Sequence, residues 1–378
     1  MRNVKAFLVL AVVTAAVAAG AYVARDEAPS IPQSGERLFP SLLAAVNDVT
    51  RIEVKADEET VLLERGTAGW VVPAKSGYPA DPDKVHQLVV GTAELRVLEP
   101  KTSSAELYPR IGVQGPGVDG AESMLVALRG AGGDALAELI VGARKSARGN
   151  AGASEIYVRR PSESQSWLVE GRLPLGGKVS DWVDDSVARI SRERTRDVRV
   201  IHPDGETVAV RQKEPAGWDY VLRDVPEGMA VPEGDEWRVS DIGRGMADLD
   251  FDDVRAASDP PDGAVPGFTV EAETYDGLRV RMETVRAGEV TYGKLSAEFD
   301  ESLVDPTLAA DERLKDKLAS ADAVRAEAER LNAKWSGWLY AIKKFKSDYF
   351  NRRMADLVKA PEPPKAESNT DTAKPPTS

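Results

Sequence analysis

Asp48–Val72 reads DVTRIEVKADEETVLLERGTAGWVV, and Asp197–Leu222 reads DVRVIHPDGETVAVRQKEPAGWDYVL. The pattern is the same in both. Gly69-Trp70 answers to Gly217-Trp218, and Thr60-Val61 to Thr207-Val208. Downstream, Tyr78–Glu99 (YPADPDKVHQLVVGTAELRVLE) aligns with Glu233–Asp253 (EGDEWRVSDIGRGMADLDFDD). Asp81, Val85, Gly91, Ala93 and Leu95 match Asp235, Val239, Gly245, Ala247 and Leu249 without a gap. A chain that repeats such a stretch is expected to build two like units.

The residues of each copy predict the same elements. Ile52 and Val54 alternate with charged neighbours, as do Val61 and Leu63, the period-2 signature of half-buried strands. Trp70–Val72 gives a third strand. Asp81-Pro82 is a helix cap followed by proline at the first helical position. Val85, Leu88, Val89 and Thr92 then share one helical face, and Leu95 and Val97 alternate as a strand. Residues 100–120 are rich in Pro and Gly and read as loop. Strands follow at Met124–Leu128, Leu136–Val141 and Glu155–Val158, with a basic loop from Gly142 to Ala153, and then Trp167–Val169. Val179–Ile190 reads as a helix, because Trp182, Val183, Val187 and Ile190 recur at helical spacing.

The second copy has its hairpin at Val198–Val210 across Asp204-Gly205, and its helix from Asp235 with Val239, Ile242 and Met246 inward. Strands are predicted at Phe268–Glu273, Leu278–Glu283 and Val290–Leu295. The copies then diverge. Asp305-Pro306 starts a predicted helical insertion, 306–335. Its narrow apolar stripe includes Leu314, Leu318, Val324, Leu331 and Trp335, on an otherwise charged helix. These five residues are the candidate partner-contact surface, packing on their own sheet being the alternative. Trp338–Ile342 answers to Trp167–Val169.

The fold class is therefore α+β: internally duplicated, mostly antiparallel β-sheet units, each with packed helices. One N-terminal transmembrane helix precedes them. The segments are 1–25 (cytoplasmic start and anchor), 26–47 (spacer), 48–190 and 191–358 (the two repeats) and 359–378 (a tail expected to be disordered). Ala6–Ala24 is uncharged and just long enough to span a bilayer, and Arg2 and Lys5 place its start in the cytoplasm. A cleaved signal peptide is the alternative reading, since Ala19-Gly20-Ala21 resembles a small-x-small cleavage site.

Composition excludes more than it identifies. The 378 residues carry 49 Lys and Arg against 62 Asp and Glu, a net charge of −13. That balance argues against nucleic acid and against adhesion to anionic lipid. With no cysteine there are no disulfides, thiolate nucleophiles or zinc–thiolate sites. Two histidines, His86 and His202, give little support to a histidine metal site or a Ser-His-Asp triad; both read as surface residues.

Individual motifs fare no better. Gly115–Gly120 formally matches GxGxxG, but a strand follows where a dinucleotide site needs a helix, so no nucleotide is expected. Asp248, Asp250, Asp252 and Asp253 suggest calcium, yet the repeat makes them the outward residues of a strand with Leu249 and Phe251 inward. Trp70 and Trp218 read as repeated core anchors rather than sugar platforms. No catalytic residue, cofactor or metal site is expected.

A Gly-Trp strand, the Tyr-Pro-Ala-Asp segment Tyr78–Asp81 leading into a helix, and Gly-Trp-Leu-Tyr at Gly337–Tyr340 resemble the bacterial family called domain of unknown function 4340. The N-terminal apolar segment fits the same pattern. The second copy departs from it, with Pro-Glu-Gly-Asp at 232–235. The resemblance implies an envelope protein often found beside ABC-type exporters of the gliding-motility kind, and it supplies no catalytic residues. The expected function is a non-enzymatic, inner-membrane-anchored periplasmic accessory or scaffold protein with an integral-membrane transporter or envelope protein as partner. The alternatives are a ligand-binding module for an envelope polymer or solute held between the two repeats, and a hydrolase using paired carboxylates.

Overall fold

The computed structural model describes residues 33–360, apart from 58, 119, 147–153, 305–306 and 309–310. The chain divides into two compact units. One contains the chain up to Val71 and Ala80–Trp182; the other contains Val72–Pro79 and the chain from Val183 onward.

The first unit opens with a short helix, α1 (Leu42–Ala45), and then the meander β1 (Arg51–Ala56), β2 (Glu59–Arg65) and β3 (Trp70–Val72). β4 (Tyr78–Pro79) lies in the segment Val72–Pro79 assigned to the second unit; the first unit resumes with α2 (Pro82–Glu94) and β5 (Arg96–Pro100), then β6 (Met124–Arg129), β7 (Ala135–Ser146), β8 (Ser154–Arg159) and β9 (Ser166–Gly171). The nine-stranded sheet runs β4-β3-β2-β1-β6-β7-β8-β9-β5. Its pairings from β1 to β3 and from β6 to β9 are antiparallel, with Val54 opposite both Val61 and Val126.

The alternation that predicts these strands also builds the core. Ile52, Val54, Val61, Leu63, Val126 and Leu128 are all at most 1% exposed. Val85, Leu88, Val89 and Ala93 of α2 are buried with them. Asp81 starts that helix by accepting the N–H groups of Asp83 and Lys84 at 2.9 and 3.2 Å, so two of its orphan donors are satisfied. Tyr108, Val113, Ile140, Tyr157 and Leu168 form a separate buried cluster.

The second unit repeats the plan. Its elements are β10 (Ser186–Ala188), β11 (Thr195–Ile201), β12 (Thr207–Gln212), β13 (Tyr220–Leu222), α3 (Glu236–Arg244) and β14 (Leu249–Ala256). Then come β15 (Val265–Thr274), β16 (Leu278–Ala287), β17 (Val290–Phe299), α4 (Ala321–Trp335), β18 (Trp338–Ile342), α5 (Lys344–Phe350) and α6 (Met354–Leu357). The sheet order is β10-β14-β18-β17-β16-β15-β11-β12-β13. Reading β11, β12, β13, β14, β15, β16, β17 and β18 as counterparts of β1, β2, β3, β5, β6, β7, β8 and β9, eight strands stand in the same order in both sheets. Each sheet adds one strand of its own, β4 or β10.

Strand register corrects one correspondence. Val54 pairs with Val61, and Val200 with Val208. Four residues further on, Arg65 pairs with Trp70 and Gln212 with Tyr220. The counterpart of Trp70 is thus Tyr220, not Trp218, because the second copy's turn is longer. Tyr220 is buried beneath α3, where Gly243 leaves room for its ring; a Cβ there would collide with it. Gly91 and Gly245 do hold equivalent posts. A Cβ on either would strike the Arg172 carbonyl or the Phe350 ring.

Three further expectations are corrected. Val179–Ile190 is not one helix: it is a 3₁₀ turn, Val179–Trp182, followed by β10. The Asp184 carboxylate accepts the Ser186 N–H at 3.0 Å, a local bond that competes with helix. β10 pairs with β14, so residues from Val183, read above as the end of the first repeat, belong to the second unit. Arg144 and Lys145 lie in β7 rather than in a loop, and 147–153 fall outside the described residues. The divergent insertion sits between β17 and β18, so its counterpart is the short turn Arg160–Gln165 between β8 and β9.

Among the described residues of the predicted helix 306–335, the α-helix is Ala321–Trp335. Ala319 gives its N–H to the buried Asp276 carboxylate at 2.9 Å, which takes the backbone out of a helical path. Ser320, extended, then caps α4 through the Ala323 N–H. The predicted start at Asp305-Pro306 lies outside the described residues, as do the apolar run Ala6–Ala24 and the tail beyond 360. Among the described residues no helix is long and apolar enough to cross a membrane.

Candidate functional site

α4 is part of the fold. Leu314 is 0% exposed, Val324 0% and Trp335 1%, while Leu318 and Leu331 are half-buried. The Trp335 indole donates to the Val187 carbonyl at 2.8 Å. The apolar stripe is therefore spent on the protein's own core, and the outward face of the helix is charged. Two polar devices hold α4 in place. Asn332 accepts the Ala297 N–H and donates to the Ala297 carbonyl, at 2.8 and 2.7 Å. It satisfies β17 where β18, which pairs only with Thr291–Gly293, no longer reaches. Arg194 bridges Asp276 and Glu327 at 2.8 and 2.9 Å. Burial works against the Arg194 charge, but the two carboxylates outweigh it and raise its pKa.

The second sheet presents a face paved with charge. In β15 and β16 the inward residues are Phe268, Val270, Ala272, Val280 and Met282. Their alternates are Glu271, Glu273, Arg279, Arg281 and Glu283. Register sets Arg199, Glu271, Arg281 and Ser296 in one cross-strand row, and Asp197, Glu273, Arg279 and Glu298 in the next. Opposite charges directly across a ladder stabilise it. Arg279 meets Glu273, Glu298 and Asp300 at 3.1, 3.1 and 2.8 Å, and Glu271 takes both Arg199 and Arg281. Asp197 takes Arg196 and Arg211, each at 2.8 Å. Burial would lift the Asp197 pKa, but these guanidiniums hold it below the usual carboxylate value.

The lattice stays accessible. Arg199 is 51% exposed at its side chain, Arg281 43% and Glu298 64%. A trough of about 500 Å³ runs over it, walled by Ser296, Ala297 and Asn332. With three arginines and three glutamates the lining is neutral overall but patterned in sign. Such a surface offers a template for a partner of complementary charge pattern. Sequence reading overlooked it, although the signal was present: charges at alternating positions of β15 and β16 define one face.

The remaining sequence candidates are scattered. His86 lies exposed on α2. His202, expected at the surface, is 5% exposed, with Nε2 3.3 Å from the Arg352 carbonyl. Burial, aided by Arg353, lowers its pKa. Trp218 is 58% exposed and stacked by Arg192, so it is no core anchor, and Trp70 is half-buried. Leu249 and Phe251 point inward from β14, while Asp250 pairs with Arg189 and Lys343, and Asp253 with Lys75. No cluster that could hold a metal ion occurs among the described residues. Gly115–Gly120 leads into β6, a strand.

Two of the quoted motifs do meet. Tyr78, 3% exposed, packs edge-on against Trp338, Tyr340 and Phe251, with ring centroids 4.9, 6.3 and 5.8 Å away. Burial pushes the Tyr78 hydroxyl up to about 12, and also raises Tyr340. Neither is poised to act as an acid or base near neutrality.

The model of the family described as a domain of unknown function (DUF4340) matches residues 70–265, just over half the chain, and the chain belongs to that family. No curated protein and no solved structure matches.

Proposed function

We propose that this DUF4340 member is a non-enzymatic scaffold subunit of an envelope or ABC-type transport complex. In this reading Ala6–Ala24 anchors it in the inner membrane and its duplicated body stands in the periplasm. The observation that carries the reading is the charge lattice of the second sheet, an exposed face of alternating Arg and Glu beside the Ser296–Asn332 trough. Such cross-strand pairs stabilise their own ladder modestly, and the exposed Arg side chains can also steer encounter and fix the register of a partner. The anchor would confine that face to a thin layer next to a membrane partner and raise its effective concentration.

The test is copurification from native membranes after crosslinking. Wild type is compared with Arg199→Glu/Arg281→Glu, which makes this part of the lattice uniformly acidic. Deleting α4 would not serve, because its residues fill the core. Loss of an integral-membrane partner from the folded double variant supports the proposal; equal recovery from both chains contradicts it.

A further inference from the structure

A different surface, on the first unit, has the makings of a ligand site. Two cavities flank the exposed ridge of α2. The larger, about 510 Å³, is lined by Arg37, Arg96, Arg172, Glu94 and Glu170 among others. The smaller, about 210 Å³, is lined by Val46, Val49, Trp70 and Pro82 among other apolar residues, and by Asn47 and Arg65. His86 and Val90, one helical turn apart, line both.

The polar cavity has three guanidiniums against two carboxylates. Neither Arg37 nor Arg96 has an ion-pair partner among the described residues, and Arg96 spends one N–H on the Gly35 carbonyl at 3.0 Å. The Nε of Arg37 is buried and has no hydrogen-bond partner among the described residues. A buried donor left unpaired is costly, and a guanidinium edge matches a carboxylate or phosphate. The neighbouring cleft has the opposite character. Five valines, Pro82 and Trp70 make most of its lining, with Asn47, Arg65 and His86 beside them, and the apolar part of such a lining suits an alkyl chain.

We propose that the α2 face binds a single-chain anionic amphiphile. Its carboxylate or phosphate head sits on Arg37 and Arg96, and its alkyl chain crosses the His86–Val90 ridge into the cleft rimmed by Val46, Pro82 and Trp70, with the buried Val49, Val85 and Val89 beneath. The site is independent of the lattice on the second sheet, so either proposal can fail alone.

Calorimetry on the full chain in zwitterionic nanodiscs, with empty discs subtracted, tests it. The probes are hexanoate, hexyl phosphate, hexanol, hexylammonium and glucuronate. The expected result is saturable binding of at least one of the two anionic probes, with hexanol, hexylammonium and glucuronate about tenfold weaker or absent. Arg37→Gln and, separately, Val90→Asp are expected to weaken it about tenfold, as for loss of one charge-assisted bond or of an apolar contact. Unliganded melting curves show that each variant is folded. The proposal is overturned if hexanol binds as well as the anions, if glucuronate binds better, or if both folded variants bind like wild type.

Discussion

Tyr78 and Trp338 stand edge to face, their ring centroids 4.9 Å apart and their planes at 80°. Each belongs to one of the short motifs that mark the family resemblance. Their spacing in sequence is wide, so the two motifs act together only in the fold. The contact gives Tyr-Pro-Ala-Asp and Gly-Trp-Leu-Tyr a structural role: they seat the segment Val72–Pro79 in the core of the second unit.

Removing either ring is expected to destabilise that core. Tyr78→Ala costs about 3 kcal/mol in urea unfolding, as for other buried aromatic truncations. Tyr78→Ala combined with Trp338→Ala costs about 1 kcal/mol less than the sum, the coupling of an edge-to-face pair. Strict additivity would remove the motifs' shared role.

The equivalent glycines make a sharper prediction. Gly245→Ala drives a methyl group into the Phe350 ring, and overpacking of this kind costs about 1–3 kcal/mol. Adding Phe350→Leu should recover part of that loss. Gly91→Ala strikes a backbone carbonyl instead, where no side-chain change can relieve it. Melting temperatures of the three variants check both statements.

Arg194→Ala leaves Asp276, 3% exposed at its side chain, without its cation. Breaking a buried pair from one side costs about 3–5 kcal/mol. Asp276 also positions Ala319, and Glu327 lies on α4, so the loss is expected to appear first as faster proteolysis within 311–335. Unchanged protection there would show that the Arg194 bridge does not hold the helix.

His202 sets a pH dependence. Its pKa in the folded chain lies below the ordinary 6.5, because burial and the Arg353 charge disfavour the imidazolium, while Arg352, Glu206 and Asp204 act the other way. The unfolded chain therefore binds the extra proton more readily. Stability is fully present above about pH 6.5 and declines as the pH falls towards the folded value. His202→Leu should flatten the profile between about pH 7 and 5.5. A profile unchanged by the substitution would remove His202 as its source.

How much of this could be read in the sequence depended on the range of the forces involved. Ile52, Val54, Val61 and Leu63 alternate, and Asp81-Pro82 caps a helix, so strand and helix follow from local pattern alone. Leu314 and Leu318 have helical spacing too, but Asp276, distant in sequence, captures the Ala319 N–H and breaks the path. Trp218 follows glycine as Trp70 does, yet a longer turn hands the buried position to Tyr220. The lattice of Arg199, Glu271, Arg281, Asp197 and Glu273 exists only once register sets strands side by side. Arg37 likewise reaches the α2 cavity from a segment that reads merely as a spacer.

The most direct measurement is site-specific photocrosslinking in intact cells, with a photoreactive residue at Ser296 in the trough or at Thr60, exposed on the first unit. Adducts to an integral-membrane protein from Ser296, absent from Thr60 and lost with Arg199→Glu/Arg281→Glu, are the predicted result. No adduct from Ser296, or equal adducts from both positions, would contradict a partner docked on the charged face.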